Sequence, residues 1–152
     1  MKILIPALIA LLSATPAVAC GVTVAGPIEI ENPWSRASIG TDRPGVVYLT
    51  IRNTGAADDV LIGIATPAAN MPMLHETVVT DGIASMPHVM AVPVPAGGTI
   101  ALEPGGFHAM LMGLTKVLKK GATFPVTLTF RDAGAVTVDV EIIGLGAKGP
   151  AC

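Results

Sequence analysis

Aromatic side chains are scarce in this chain: one tryptophan, one tyrosine and three phenylalanines among 152 residues. Stacking on nucleobases therefore lacks its residues. Charge is thin as well, at 13% of residues, with a formal net charge of −2 and no basic stripe to neutralise phosphates. Both shortages argue against a nucleic-acid partner. No helical period runs long enough to build a helix layer, and no segment after the N-terminus reaches membrane-spanning length without charge. No hydroxyl or thiol nucleophile stands in a recognisable pairing with a base, so the chain is not expected to be an enzyme.

The N-terminus reads as a targeting segment. Lys2 supplies a positive start, Ile3 to Leu12 is almost wholly apolar, and Pro16 precedes small residues at Ala17 and Ala19. This is the order of a secretory signal peptide, residues 1–19, cleaved after Ala19. What remains, residues 20–152, is one domain's worth of chain, enough for a hydrophobic core of its own. Cysteine occurs only at Cys20 and Cys152, the two ends of that mature chain. Export permits a disulfide between them, and chain ends often lie together in a compact domain. A lipid on Cys20 and two free thiols are the other readings, and the sequence leaves the three open.

Glycine and proline punctuate the mature chain every eight to twelve residues. Between them lie β-branched runs: 45–53, 60–66, 75–80, 83–89, 99–103, 107–112, 124–130 and 136–143. Alternation in Val126-Thr127-Leu128-Thr129-Phe130 and Val136-Thr137-Val138-Asp139-Val140 predicts half-buried antiparallel strands. Short strands at this spacing predict a single all-β sandwich, with residues 116–121 as a polar loop or one helical turn.

Three histidines and the methionines beyond Met1 are the unusual content, and they fall in two segments. Met71, Met73, His75, Met86, His88 and Met90 surround Asp81-Gly82, a two-residue hairpin signal. With that pair as the loop, Thr80 faces Ile83, His75 faces His88, Met73 faces Met90, and Met86 is the diagonal neighbour of His75. His108, Met110 and Met112 alternate in the second segment, so all three point one way, and Gly105-Gly106 permits a tight turn before them. Thioether with imidazole, and no carboxylate cluster beside them, suits copper(I). Calcium and magnesium demand oxygen ligands, structural zinc favours cysteine with histidine, and a blue-copper carrier needs a thiolate. Residue chemistry thus indicates a soft-metal patch that includes His88, while Met71, Met73, Met90 and Met112 read individually as packing or rim residues rather than ligands.

The spacing narrows this. His75, Met86, His108 and Met110 form H-x10-M-x21-H-x-M, and this pattern resembles the copper motif of the PCuAC family. The flanks are similar too: Trp34-Ser35-Arg36, Tyr48 to Asn53, Val94 to Gly98, Pro104 to Leu114 and Phe124 to Phe130. The resemblance implies a cupredoxin-like antiparallel Greek-key β-sandwich in the bacterial periplasm. It implies one copper(I) per chain, held by His75, Met86, His108 and Met110; the chain is expected to be a monomer. It also implies delivery for assembly of the CuA centre in cytochrome c oxidase subunit II, beside Sco-type copper proteins. Two other readings stand against it: a copper storage or resistance protein without an oxidase partner, and a sandwich module for adhesion or assembly that binds no metal.

Overall fold

A computed structural model describes residues 20–150 and 152, so the expected signal segment lies outside the described residues. The strands are β1 (Val22–Ala25), β2 (Ile28–Arg36), β3 (Gly45–Asn53), β4 (Asp59–Ala65), β5 (Ala69–Glu76) and β6 (Val78–Thr80). They continue with β7 (Ile83–Ser85), β8 (Val92–Val94), β9 (Thr99–Leu102), β10 (Phe107–Leu114), β11 (Thr123–Phe130) and β12 (Gly134–Ile143). Among the described residues there is no helix, and residues 116–121 form a loop that drives Leu118 into the core at 1% exposure.

One sheet carries the strands in the order β5-β10-β9-β3-β2-β12-β11-β4-β8, with β1 added to β2. It curls until its ends meet: β4 packs against β5, and β8 against β3 and β9. Alternation dictates what it encloses. Phe124, Val126, Leu128 and Phe130 on β11 turn inward beside Val136, Val138, Val140 and Ile142 on β12, and Val47, Leu49 and Ile51 meet them from β3. Each such side chain contributes roughly 1.5–3 kcal/mol by leaving water. The opposite face of β3, β5 and β10 points out of the core, and the chemistry lies there.

The sandwich is as expected, with two refinements. Two of the strand pairs, β12–β2 and β10–β9, are parallel within an otherwise antiparallel sheet. Strands also form where proline concealed them. Pro33 sits at the register shift of β2 between Glu31 and Trp34, and Pro72 lies on the open edge of β5. Pro93 is in β8, the last strand. These are the places where a missing backbone donor does not break a ladder.

The termini resolve one open alternative. Cys20 and Cys152 form a disulfide, their Cα atoms 5.7 Å apart, so the Cys20 sulfur is not available to a lipid.

Asp59 ties β4 to the turn between β11 and β12. Its carboxylate is 4% exposed and accepts backbone N–H bonds from Val60 at 2.7 Å, Asp132 at 3.0 Å and Ala133 at 2.9 Å. Burial pulls its pKa up, but those donors and Arg131 together hold it below the ordinary carboxylate value. A depressed pKa contributes stability above the unfolded-state value, near 3.9, that is lost as pH falls through the folded value. Asp59→Ala should therefore destabilise by about 2–3 kcal/mol at neutral pH, because it leaves buried N–H groups unpaired. Urea midpoints at pH 7 and on acidification check this, and the variant should lose part of the acid dependence of the native protein.

Candidate metal centre

The hairpin turns at Asp81 and Gly82, both in the left-handed region with φ of 52° and 79°. Thr80 pairs with Ile83 as the Asp-Gly signal requires. The ladder is interrupted after Val78–Ser85 and resumes at the His75–His88 bridge. There Glu76 donates to the Pro87 carbonyl at 3.1 Å and Val89 to the Leu74 carbonyl at 2.9 Å. These bonds flank His75 and His88 rather than join them, the type of pair whose side chains approach most closely.

On its other edge β5 pairs with β10, and the register sets His108 opposite His75, Met110 opposite Met73 and Met112 opposite Met71. Leu74, Ala109 and Leu111 are buried in the core, so the histidines and methionines that alternate with them face outward. His75 thus stands in the middle of a row. Its ring centroid is 5.9 Å from that of His108 and 5.8 Å from that of His88.

Backbone carbonyls orient the two motif histidines. Nδ1 of His75 lies 2.9 Å from the Met86 carbonyl, and Nδ1 of His108 lies 3.0 Å from the Gly106 carbonyl. A carbonyl only accepts, so each Nδ1 carries the proton and each Nε2 presents a lone pair, the arrangement metal-bound imidazoles use. The Gly106 carbonyl also accepts the Thr77 N–H at 3.0 Å, and Gly105, at φ 87°, makes the turn that aims it. Nε2 of His75 is buried, and no group among the described residues hydrogen-bonds it. A buried acceptor without a partner is destabilising by itself, and a soft cation would satisfy it.

Of the four motif residues, His75 and His108 meet directly, and Met110 lies two residues along the same face of β10 from His108. Met86 is joined to the site by its backbone, and its side chain is 54% exposed. Among the described residues no three His, Cys, Asp or Glu side chains cluster in a way that would hold an ion. A site here needs its methionines.

Two features escaped the sequence reading. The pairing of β5 with β10, which sets Met110 opposite Met73 and Met112 opposite Met71, is one, and equal i, i+2 spacing in the two segments could have signalled it. The other is an aromatic stack: Trp34 is packed on Tyr48 at 4.6 Å between centroids, with the Arg36 guanidinium 5.9 Å from each ring. Val46, two residues before Tyr48, pairs with Met110, so this stack borders the patch. Burial raises the Tyr48 pKa, with Arg36 opposing it in part.

The fold is that of a cupredoxin-like domain of the PCuAC class, as comparison with known proteins shows. The copper-bound PCuAC domain from PmoF2 superposes with a TM-score of 0.70, at 26% identity, over 82% of this chain and 98% of that domain. The solution structure of CuI-DR1885 from Deinococcus radiodurans superposes with a TM-score of 0.61, at 35% identity, over 74% of this chain and 75% of that one. "Putative lipoprotein Lxx21020" of Leifsonia xyli subsp. xyli is 34% identical over 116 residues, which are 76% of this chain and 69% of that protein. The family model described as "Putative lipoprotein LpqE-like" matches residues 28–142, and the chain belongs to this LpqE-like, PCuAC-type family.

Proposed function

We propose that the chain is an exported copper chaperone that carries one copper(I) between His75, Met86, His108 and Met110. The observation that carries the reading is the pair of histidines with Nδ1 tied to carbonyls, the buried Nε2 of His75 lacking any partner, beside thioethers on one face. Names of similar structures support it, since one is a copper-bound domain and another a CuI form. All four donors are neutral. They suit copper(I) and do not drive its oxidation, so the ion is cargo and the chain performs no reaction on it.

Delivery follows from the same chemistry. The histidines are fixed by backbone carbonyls, while Met86 sits in an exposed segment, so that its thioether would close over the ion and exchange with an incoming ligand. We assign the recipient as the CuA domain of cytochrome c oxidase subunit II, with Sco-type proteins acting alongside. Residues 1–19 act as the signal for the periplasm, and residues 20–152 work there as a monomer without a lipid on Cys20. Among the described residues no helix is long and apolar enough to cross a membrane.

The test is transfer. Copper(I)-loaded chain, mixed anaerobically with apo subunit II domain and separated again, should leave its copper on the subunit. Copper retained by a chain that binds it tightly would favour storage instead. A chain that never binds copper would favour a sandwich without metal.

A further inference from the structure

The four-ligand centre leaves part of the donor set unused. Across β5 from His108, a cavity of about 190 Å³ is lined by Met73, His88 and Met90, with Ile62 and Ile64 of β4 as apolar wall. Met73 is on β5 two residues before His75, and His88 is the cross-strand partner of His75. The Val89–Leu74 hydrogen bond carries that register to the next pair, and Met90, at the bend that follows, lines the same cavity as Met73. Two thioethers and an imidazole therefore border one cavity.

Core packing, the usual task of methionine, does not account for His88 or Met90. Met90 is 78% exposed and His88 is exposed as well. Two thioethers with one imidazole, and no carboxylate among the lining residues, match a soft monovalent cation rather than an oxygen-seeking one.

We infer that Met73, His88 and Met90 form a second copper(I) site, separate from the proposed centre and contiguous with it. Met73 joins the two, because its partner on the β10 side is Met110. An ion held in the exposed cavity is one cross-strand step from the four-ligand centre. The outer site thus serves as an entry station, from which copper moves inward by exchanging one thioether at a time. Its existence goes beyond the four-ligand reading, while the entry role rests on it.

Methyl-labelled methionine separates the two. In an anaerobic titration of the intact mature protein with copper(I), the Met86 and Met110 methyl resonances should shift with the first equivalent. Those of Met73 and Met90 should shift with the second. The Met73→Leu/Met90→Leu variant, which conserves side-chain volume, should fall from two bound ions to one and keep the first. Met73 and Met90 resonances unmoved by excess copper would overturn the outer site, as would an unchanged stoichiometry in that variant. Met73 moving together with Met110 on the first equivalent would also overturn it, because the two clusters would then be one. Shifts at Met73 and Met90 without any at Met86 and Met110 would support the outer site while refuting the four-ligand centre.

Discussion

Met110→Leu is expected to weaken copper(I) retention by more than about 100-fold while leaving the thermal midpoint nearly unchanged. The magnitude follows from a comparison: loss of a group that merely orients a ligand typically costs 10–100-fold in metal affinity, and Met110 is proposed as a ligand itself. The fold should tolerate the change. Met110 points away from the core, between its cross-strand partners Met73 and Val46, while Ala109 and Leu111 on either side do the packing. A Met-to-Leu exchange also nearly conserves volume, which holds its effect on stability below about 1.5 kcal/mol.

Two companion variants give the result its meaning. His108→Ala should lose copper at least as completely but with a stability cost, since His108 is 5% exposed and held by the Gly106 carbonyl. Met112→Leu, one step further along β10 from Met110, should bind copper(I) like the native chain. Anaerobic competition against a colorimetric copper(I) chelator reads all three. Native affinity in Met110→Leu would remove this residue from the ligand set whatever the family spacing suggests.

How far this site could be read without coordinates depends on where each of its parts is encoded. The hairpin was legible because a two-residue loop fixes the numbering of everything that follows. Asp81-Gly82 predicts the His75–His88 pairing, and that bridge forms even though the ladder breaks between Ser85 and Pro87. Strands β11 and β12 were legible because strict alternation has only one way to face a core. The neighbourhood of β5 and β10 was not legible. Their pairing closes across some thirty residues and depends on how the sheet curls, so the spacing could say that His75 and His108 meet but not that they are register partners.

Proline hid the start of β5 and all of β8, because a residue without an N–H argues against a strand unless the edge position is known. The orientation of the histidines was equally out of reach. It rests on the Met86 and Gly106 carbonyls, and every residue has a carbonyl. The motif names Met86 for its sulfur, whereas the fold also employs its backbone.

The terminal disulfide carries the other large expectation. Replacing Cys20 and Cys152 together by serine should lower unfolding free energy by about 2–5 kcal/mol, the range usual for losing a native bridge in a small exported domain. The bridge spans a sequence separation of 132 residues, so it restrains the unfolded chain over almost the whole mature length. For a domain of this size each kcal/mol moves the thermal midpoint by about 3–5 °C, so the shift should be plain in a melting experiment. The native protein measured in excess reductant should match the double variant.

Copper(I) affinity at 25 °C should survive the loss. Cys152 borders a cavity with Asn32, Trp34, Thr50 and Pro104, and none of the four proposed ligands lines it. Intact mass adds an independent check, since the bridged chain is two hydrogens lighter than the reduced one and carries no lipid. Identical melting of native and double-serine protein would show that the ends are not joined in solution. A lipid found on Cys20 would show the same by chemistry, because one sulfur cannot hold both, and the domain would then depend for its stability on the β-sandwich core alone.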